Sequence, residues 1–278
     1  MSKIVIEKDR IVPLYEQNHS INQTAKELGI SWGACKRILQ EYEIPLVSHS
    51  NQYGVYQQLN LFSQIKTEAD AYWLGMLYSD GWIRSDRNSI GLGSVDKDII
   101  EKFKAYTGTT NSILVKSAKN LIGKTLPEGR KAKTAKDFYS LEFSSKITKE
   151  NLICLGCVPK KSLILTCPNE QQVPTELLWH FLRGYIDGDG WITYNTDTNR
   201  YSIGMLGTKQ FLEGITQRLK INHYGYIRKK NNTKDTYEFS VTKRQLVEQI
   251  LDCLYDGATI YMDRKHKKYV EYIGRSSI

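Results

Sequence analysis

Two aspartates in this chain of 278 residues stand in the same local context. The tetrapeptide Asp-Gly-Trp-Ile occurs at Asp80–Ile83 and again at Asp189–Ile192, 109 residues further on. Carboxylates are hard oxygen ligands, and two held close together repel unless a divalent cation joins them. Such a cation can activate water and stabilise the leaving oxygen of a phosphodiester displacement. Oxygen ligands without histidine favour Mg2+, with Mn2+ as a substitute, over zinc. The plain alternative is that each aspartate caps a turn before Gly-Trp, which leaves the recurrence without a reason.

The elements around the aspartates also recur. Each tetrapeptide ends an apolar helical stretch, AYWLGMLYS before the first and LLWHFLRGYID before the second. Each is followed by strand-like segments, and SIGLGSV (Ser89–Val95) parallels SIGMLGT (Ser202–Thr208). Apolar spacing then predicts helices over Asp98–Tyr106 and Gln210–Leu219. A second strand pair ends in LEFSS at Leu141–Ser145 and YEFSV at Tyr237–Val241, and closing helices are expected at Thr148–Leu155 and Arg244–Tyr255. The order in each half is helix, two strands, helix, two strands, helix. The predicted class is α+β: two pseudo-symmetric αββαββα repeats forming a DNA-binding saddle, plus a small all-α domain. Gly75 and Ser79 are four apart, as are Gly184 and Gly188. On helices these make two small-residue faces that allow close packing, which would bring Asp80 and Asp189 side by side.

The segments WLGMLYSDG (Trp73–Gly81) and LRGYIDGDG (Leu182–Gly190) resemble the nonapeptide that names the LAGLIDADG homing endonucleases. The second matches at Leu182, Gly184, Ile186, Asp187, Asp189 and Gly190. The first matches at Gly75, Asp80 and Gly81, with Tyr78 where the first motif aspartate stands. The resemblance covers about residues 66–275 and implies a double-motif monomer that cuts double-stranded DNA, with Asp80 and Asp189 as metal ligands. Family members usually carry a lysine in each half that polarises the site. LICLGCVPKKS resembles the stretch holding the first and points to Lys161, beside Lys160. ATIYMDRKHKKY resembles the stretch holding the second and points to Lys265. For each, a plain surface lysine is the alternative.

Charge agrees with a polyanionic partner. The formal net charge is +9, and residues 61–278 carry all of it, with 33 basic against 24 acidic side chains. Lysines and arginines that neutralise phosphates gain affinity by releasing counterions. Residues 110–136 hold seven basic side chains against Glu128 alone. The resemblance implies two antiparallel sheets laid into the major groove. Candidate contacts are Arg84, Arg87, Asn88, Lys116, Lys119, Lys131 and Lys133 in the first half. In the second they are Thr193, Asn195, Arg200, Arg228, Lys229 and Lys230. Arginine and asparagine suit guanine and adenine edges, whereas lysine more often positions on phosphate. The halves differ in these residues, so a long, asymmetric target is expected.

Residues 9–45 read as three short helices. Ser20 and Ser31 are N-caps, and Gly29 breaks the chain between them. Ala25, Gly29, Cys35 and Ile38 occupy the small, turn and core positions of a helix-turn-helix, which this segment resembles. Its second helix would offer Lys36 and Arg37 to DNA. Residues 1–60 have no net charge, with six basic and six acidic side chains, so a bare packing unit is the alternative. The boundaries expected are a helix-turn-helix module over 1–50, a linker over 51–65, and repeats over 66–162 and 163–278.

The five cysteines do not form a disulfide framework, and Cys154, Cys157 and Cys167 lack a nearby histidine for zinc. Membrane-length apolar runs and a signal-peptide core are absent, which implies an intracellular protein of a bacterium, phage-infected cell or organelle. The competing function is a non-cleaving DNA-binding regulator, or an RNA maturase that assists splicing and has intron RNA as partner.

Overall fold

The computed structural model describes residues 6–18, 20–44, 46, 60–118, 136–198, 200–230 and 235–276. The chain divides into two compact units, residues 1–57 and 58–278. Among the described residues no helix is long and apolar enough to cross a membrane.

The first unit holds α1 (Lys8–Asn18), α2 (Ile21–Glu27) and α3 (Trp32–Glu41). Ser20 caps α2 by accepting from the Gln23 amide at 3.3 Å, and Ser31 caps α3 by accepting from the Ala34 amide at 3.2 Å. Gly29 has φ +64°, a left-handed turn that costs glycine nothing. Ile11, Tyr15, Ile21, Ala25, Cys35, Ile38 and Leu39 make a small core of this unit's own.

The second unit carries the duplication. Its first half is α4 (Glu68–Ser79), β1 (Gly81–Ile83), β2 (Ser89–Ser94), α5 (Lys97–Thr107), β3 (Leu114–Lys116), β4 (Phe138–Ser144) and α6 (Lys146–Cys154). Its second half is α7 (Leu178–Asp189), β5 (Gly190–Asn195), β6 (Arg200–Gly207), α8 (Lys209–Arg218), β7 (Tyr226–Lys229), β8 (Tyr237–Val241) and α9 (Arg244–Tyr255). The sheets are antiparallel, ordered β1-β2-β4-β3 and β5-β6-β8-β7, so the order expected for each half is present twice.

Three details go beyond the expected pattern. Helix α6 begins at Lys146 rather than Thr148, because the Ser145 hydroxyl accepts from the Thr148 amide and starts the helix earlier. Strand β1 has three residues where β5 has six. A further helix, α10 (Asp263–Ser276), follows α9; its charge-rich sequence hid a helical face from inspection.

Helix α4 is apolar all round. Thr67 and Asp70 close its N-terminus as a capping box, and every residue from Ala71 to Tyr78 is buried. A helix without a polar face belongs in an interior. Here the two halves share one core, with Trp73, Leu77 and Phe103 from the first joined to Phe181, Ile186 and Phe211 from the second.

Candidate metal centre and nucleic-acid face

Helices α4 and α7 meet through their small residues. A methyl group on Gly75 would lie 2.0 Å from the Phe181 carbonyl oxygen, and one on Gly184 would lie 1.9 Å from the Tyr72 carbonyl oxygen. The approaches are reciprocal: Gly75 also faces the Tyr185 amide, and Gly184 faces the Met76 amide. A local two-fold relation maps each approach on the other. Gly188 completes the face, since a methyl there would stand 2.0 Å from Ser79 Oγ. Ser79 turns its hydroxyl back to the Gly75 and Met76 carbonyls.

This packing brings the aspartates together at the helix ends. Asp80 is the C-cap of α4, with its amide donating to Met76 O at 3.0 Å. Asp189 ends α7. The Asp80 Oδ2 lies 3.2 Å from the place a Gly188 methyl would take, one residue from Asp189. Burial and the Asp189 carboxylate push the Asp80 carboxyl up to about 6, against the pull of Lys265, Lys161 and Arg264. Burial raises Asp189 also, opposed by the same two lysines, although its side chain opens on solvent.

The two lysines are not surface residues. Lys161 is 8% exposed and Lys265 is 3% exposed. Lys160, in a left-handed conformation with φ 57°, precedes the 3-10 turn Lys161–Leu163, and the Lys161 ammonium donates to Gly81 O. Lys265 stands in the first turn of α10. Its three N–H donors meet three carbonyls: Ile186 O, Asp187 O at 2.9 Å and Gly190 O at 2.7 Å. Burial lowers this ammonium to about 8, against Asp187, Asp80 and Asp189, which favour its charge. The start of α10 is docked on the first half through Arg264–Asp96 at 3.0 Å and Lys102–Asp263 at 2.5 Å.

Asp187 has a different place. It is buried, and its carboxylate accepts from the Tyr72 hydroxyl at 2.8 Å, the Tyr255 hydroxyl at 2.7 Å and the Met262 amide at 2.7 Å. It ties α4, α9 and the lead-in to α10 around α7. Tyr78, at the corresponding position of the first half, is equally buried and donates to Leu155 O at 2.5 Å, next to the end of α6. The tyrosine in the first motif therefore replaces a packing aspartate and leaves Asp80 untouched.

Sequence reading missed a second buried tie. The Arg183 guanidinium is 1% exposed and pairs with Glu68, while also donating to Leu254 O and Ile260 O at 2.8 Å each. Glu68 in turn accepts from the Thr259 amide at 2.9 Å. An arginine in an apolar helical run is a signal, because it needs a partner when buried. Lys268, another omission, donates to Ile192 O.

The expected nucleic-acid contacts fall on the sheets as their pleat dictates. Ile83, Ile90 and Leu141 face the core, so Trp82 and Gly91 lie on the other side. Each repeated tryptophan covers a glycine across the strand pair, Trp82 over Gly91 and Trp191 over Gly204. That explains the tryptophan in the repeated tetrapeptide. Arg84, Arg87 and Asn88 sit exposed in the β1–β2 turn, and Lys149 braces it through Arg84 O and Arg87 O. Arg87 also faces Glu142 at 3.6 Å. Lys116 is exposed on β3, whereas Lys119, Lys131 and Lys133 lie outside the described residues.

In the second sheet Thr193, Asn195, Arg200 and Arg228 share the face opposite the core, and Lys229 alternates to the other. Asn195 spends its side-chain oxygen on the hairpin, accepting from the Thr198 amide at 2.9 Å. Lys230 is exposed just beyond β7. In the first unit, Arg37 is exposed, and Lys36 is half-buried with its ammonium 5.1 Å from the Trp32 ring centre. The free cysteines are dispersed in exposure: Cys157 is buried, Cys154 is exposed and Cys167 is half-buried.

Residues 176–275, which take in most of the second repeat, match the family model described as a LAGLIDADG-like domain. No curated protein matches the chain. Among solved structures, it is similar to the meganuclease I-SmaMI bound to uncleaveable DNA, with 10% identity and a TM-score of 0.47, over 75% of this chain and 90% of that one. The homing endonuclease I-LtrWI bound to target DNA gives 10% identity and a TM-score of 0.46 over 75% and 89%. The meganuclease I-AabMI bound to uncleaved DNA gives 13% and 0.44 over 74% and 89%.

Proposed function

We propose that this chain is a monomeric, site-specific endonuclease that hydrolyses both strands of a long, asymmetric DNA site and depends on a divalent metal. The observation that carries the reading is the pairing of Asp80 with Asp189 at the ends of two helices packed backbone to backbone. The matched LAGLIDADG-like domain over residues 176–275 supports it.

The residues fit a hard cation. Two carboxylates adjoin, and among the described residues no hydrogen bond acts on either one. No third His, Cys, Asp or Glu among the described residues joins them there. Water and phosphate oxygens would complete the shell, the usual way a protein holds Mg2+. Asp80 and Asp189 would hold the ion, with Mn2+ as substitute. When bound it supplies Lewis-acid activation of water and of the phosphodiester. Lys161 and Lys265, anchored on backbone carbonyls, hold positive charge beside the carboxylates, where negative charge develops on phosphate. The outer sheet faces and their turns, through Arg84, Arg87, Asn88, Lys116, Thr193, Asn195, Arg200, Arg228 and Lys230, meet the duplex, and Lys229, on the other face of its strand, is left out of that set. The first unit lengthens the footprint through Lys36 and Arg37.

The test is selection of cleaved sites from randomised duplex with Mg2+. The wild type should return one long site without a palindrome. Asp80→Asn and Asp189→Asn should each lose double-strand cutting by at least about a hundredfold, since metal contributes several kcal/mol at the transition state. Both should still bind the site. Full cutting by both variants overturns the reading, and wild-type binding without cutting points to a regulator instead.

A further inference from the structure

The geometry points to Arg228 as a guanine-reading arginine, held in its reading position by Glu238. This rests on the proposed function and names one determinant of its specificity.

Arg228 on β7 and Glu238 on β8 are direct cross-strand partners. Both lie on the face of the sheet turned from the core, because Ile227 and Phe239 fill the alternate positions. The Arg228 Nε and Nη2 each lie 2.6 Å from Glu238 Oε1. One edge of the guanidinium is thus committed to the sheet. Arginine has five N–H donors in a planar fork, so Nη1 and the outer N–H of Nη2 remain. Those donors form the parallel pair that matches guanine O6 and N7 in the major groove.

The surroundings keep that edge outward. Glu238 is 13% exposed as a side chain, whereas Arg228 is 61% exposed, so the carboxylate is the base and the guanidinium the tip. The Tyr226 ring, two residues along the same strand and 56% exposed, lies with its centre 5.7 Å from the Arg228 guanidinium carbon. The arginine is thereby oriented before DNA arrives, which reduces the entropy lost on binding. A glutamate on a DNA-facing sheet otherwise repels phosphate, so its presence beneath an arginine favours base reading over backbone neutralisation.

The experiment measures binding of the full chain to randomised duplex in EDTA, so cleavage plays no part. The wild type should select a site with guanine dominant at one position in the half read by the second sheet. Arg228→Lys keeps the charge and loses the fork. It should lower the guanine preference at that position alone by about tenfold or more, the lower part of what a bidentate pair supplies. Glu238→Ala should lose the same preference while tightening binding to unrelated duplex. Melting temperatures near wild type confirm that both variants fold. An affinity loss equal for all four bases, or no change, overturns the inference and leaves the endonuclease reading intact. Failure of the wild type to bind duplex DNA at all overturns both.

Discussion

The Tyr72 hydroxyl donates to Asp187 across the seam between the repeats, so an aspartate on one motif helix is satisfied by the helix of the other. Tyr255 and the Met262 amide complete its shell. Tyr72→Phe should cost about 1.5–3 kcal/mol, one buried hydrogen bond to a charged group. Asp187→Ala strands three buried donors and should cost about 3–5 kcal/mol. Urea denaturation checks both, and equal midpoints for the two variants would contradict this order.

The carboxylate pair has a stability consequence whose sign follows from the Asp80 shift. Its folded value of about 6 stands above the ordinary 3.8, so the folded state disfavours the ionised form. The destabilisation is fully present above about pH 6 and is relieved as pH falls towards 3.8. Without metal, Asp80→Asn should therefore be more stable than wild type at pH 7.5, by on the order of 1 kcal/mol after solvent screening. The advantage should vanish near pH 4. Melting curves in EDTA at both values test this, and a destabilised variant at pH 7.5 refutes it.

On the proposed reading, proton and cation would compete for Asp80, so the Mg2+ concentration for half-maximal cutting should rise as pH falls below about 6. A requirement independent of pH between 5 and 7.5 would place the ion elsewhere.

Changing Lys116, Lys119, Lys131 and Lys133 together to alanine should weaken binding to every sequence. It should also flatten the slope of log affinity against log salt by about 0.9 for each phosphate that is no longer neutralised. An unchanged slope means that these lysines meet only solvent.

In the first unit, Lys36→Ala with Arg37→Ala should shorten the protected footprint at one end and leave the cutting rate at saturating protein unaltered. The affinity loss should be modest, because the 1–60 segment has no net charge and gains little from counterion release. A footprint of unchanged length would limit DNA binding to the repeats.

The duplication was legible because residue spacing controls it. Asp-Gly-Trp-Ile recurs with its glycine-bearing partner strands, and Gly75, Gly184 and Gly188 mark where backbones must approach. Helix boundaries moved by a residue or two where Ser145 or Thr208 captured an amide, which depends on side-chain direction rather than apolar period. Helix α10 went unread because Asp263–Lys268 is a charged run whose apolar face shows only once Tyr269 and Tyr272 are packed. Lys161 and Lys265 were legible as positions but not as buried groups, since the carbonyls that receive them come from residues about 80 positions away. Glu238 was invisible for a similar reason: its meaning lies in the cross-strand register with Arg228.

The two-fold relation at the seam also records how far the halves have diverged. It maps Tyr72 on Phe181, Glu68 on Leu177 and Leu74 on Arg183, so the seam is symmetric in backbone and unlike in chemistry. A molecule assembled from two copies of the second repeat would meet itself across that seam with Phe181 where the Tyr72 hydroxyl belongs. It would also hold two buried arginines and no Glu68 to receive either. Each half thus supplies buried partners that the other lacks, and a protein with one side doubled would need its seam rebuilt before it could fold as this one does.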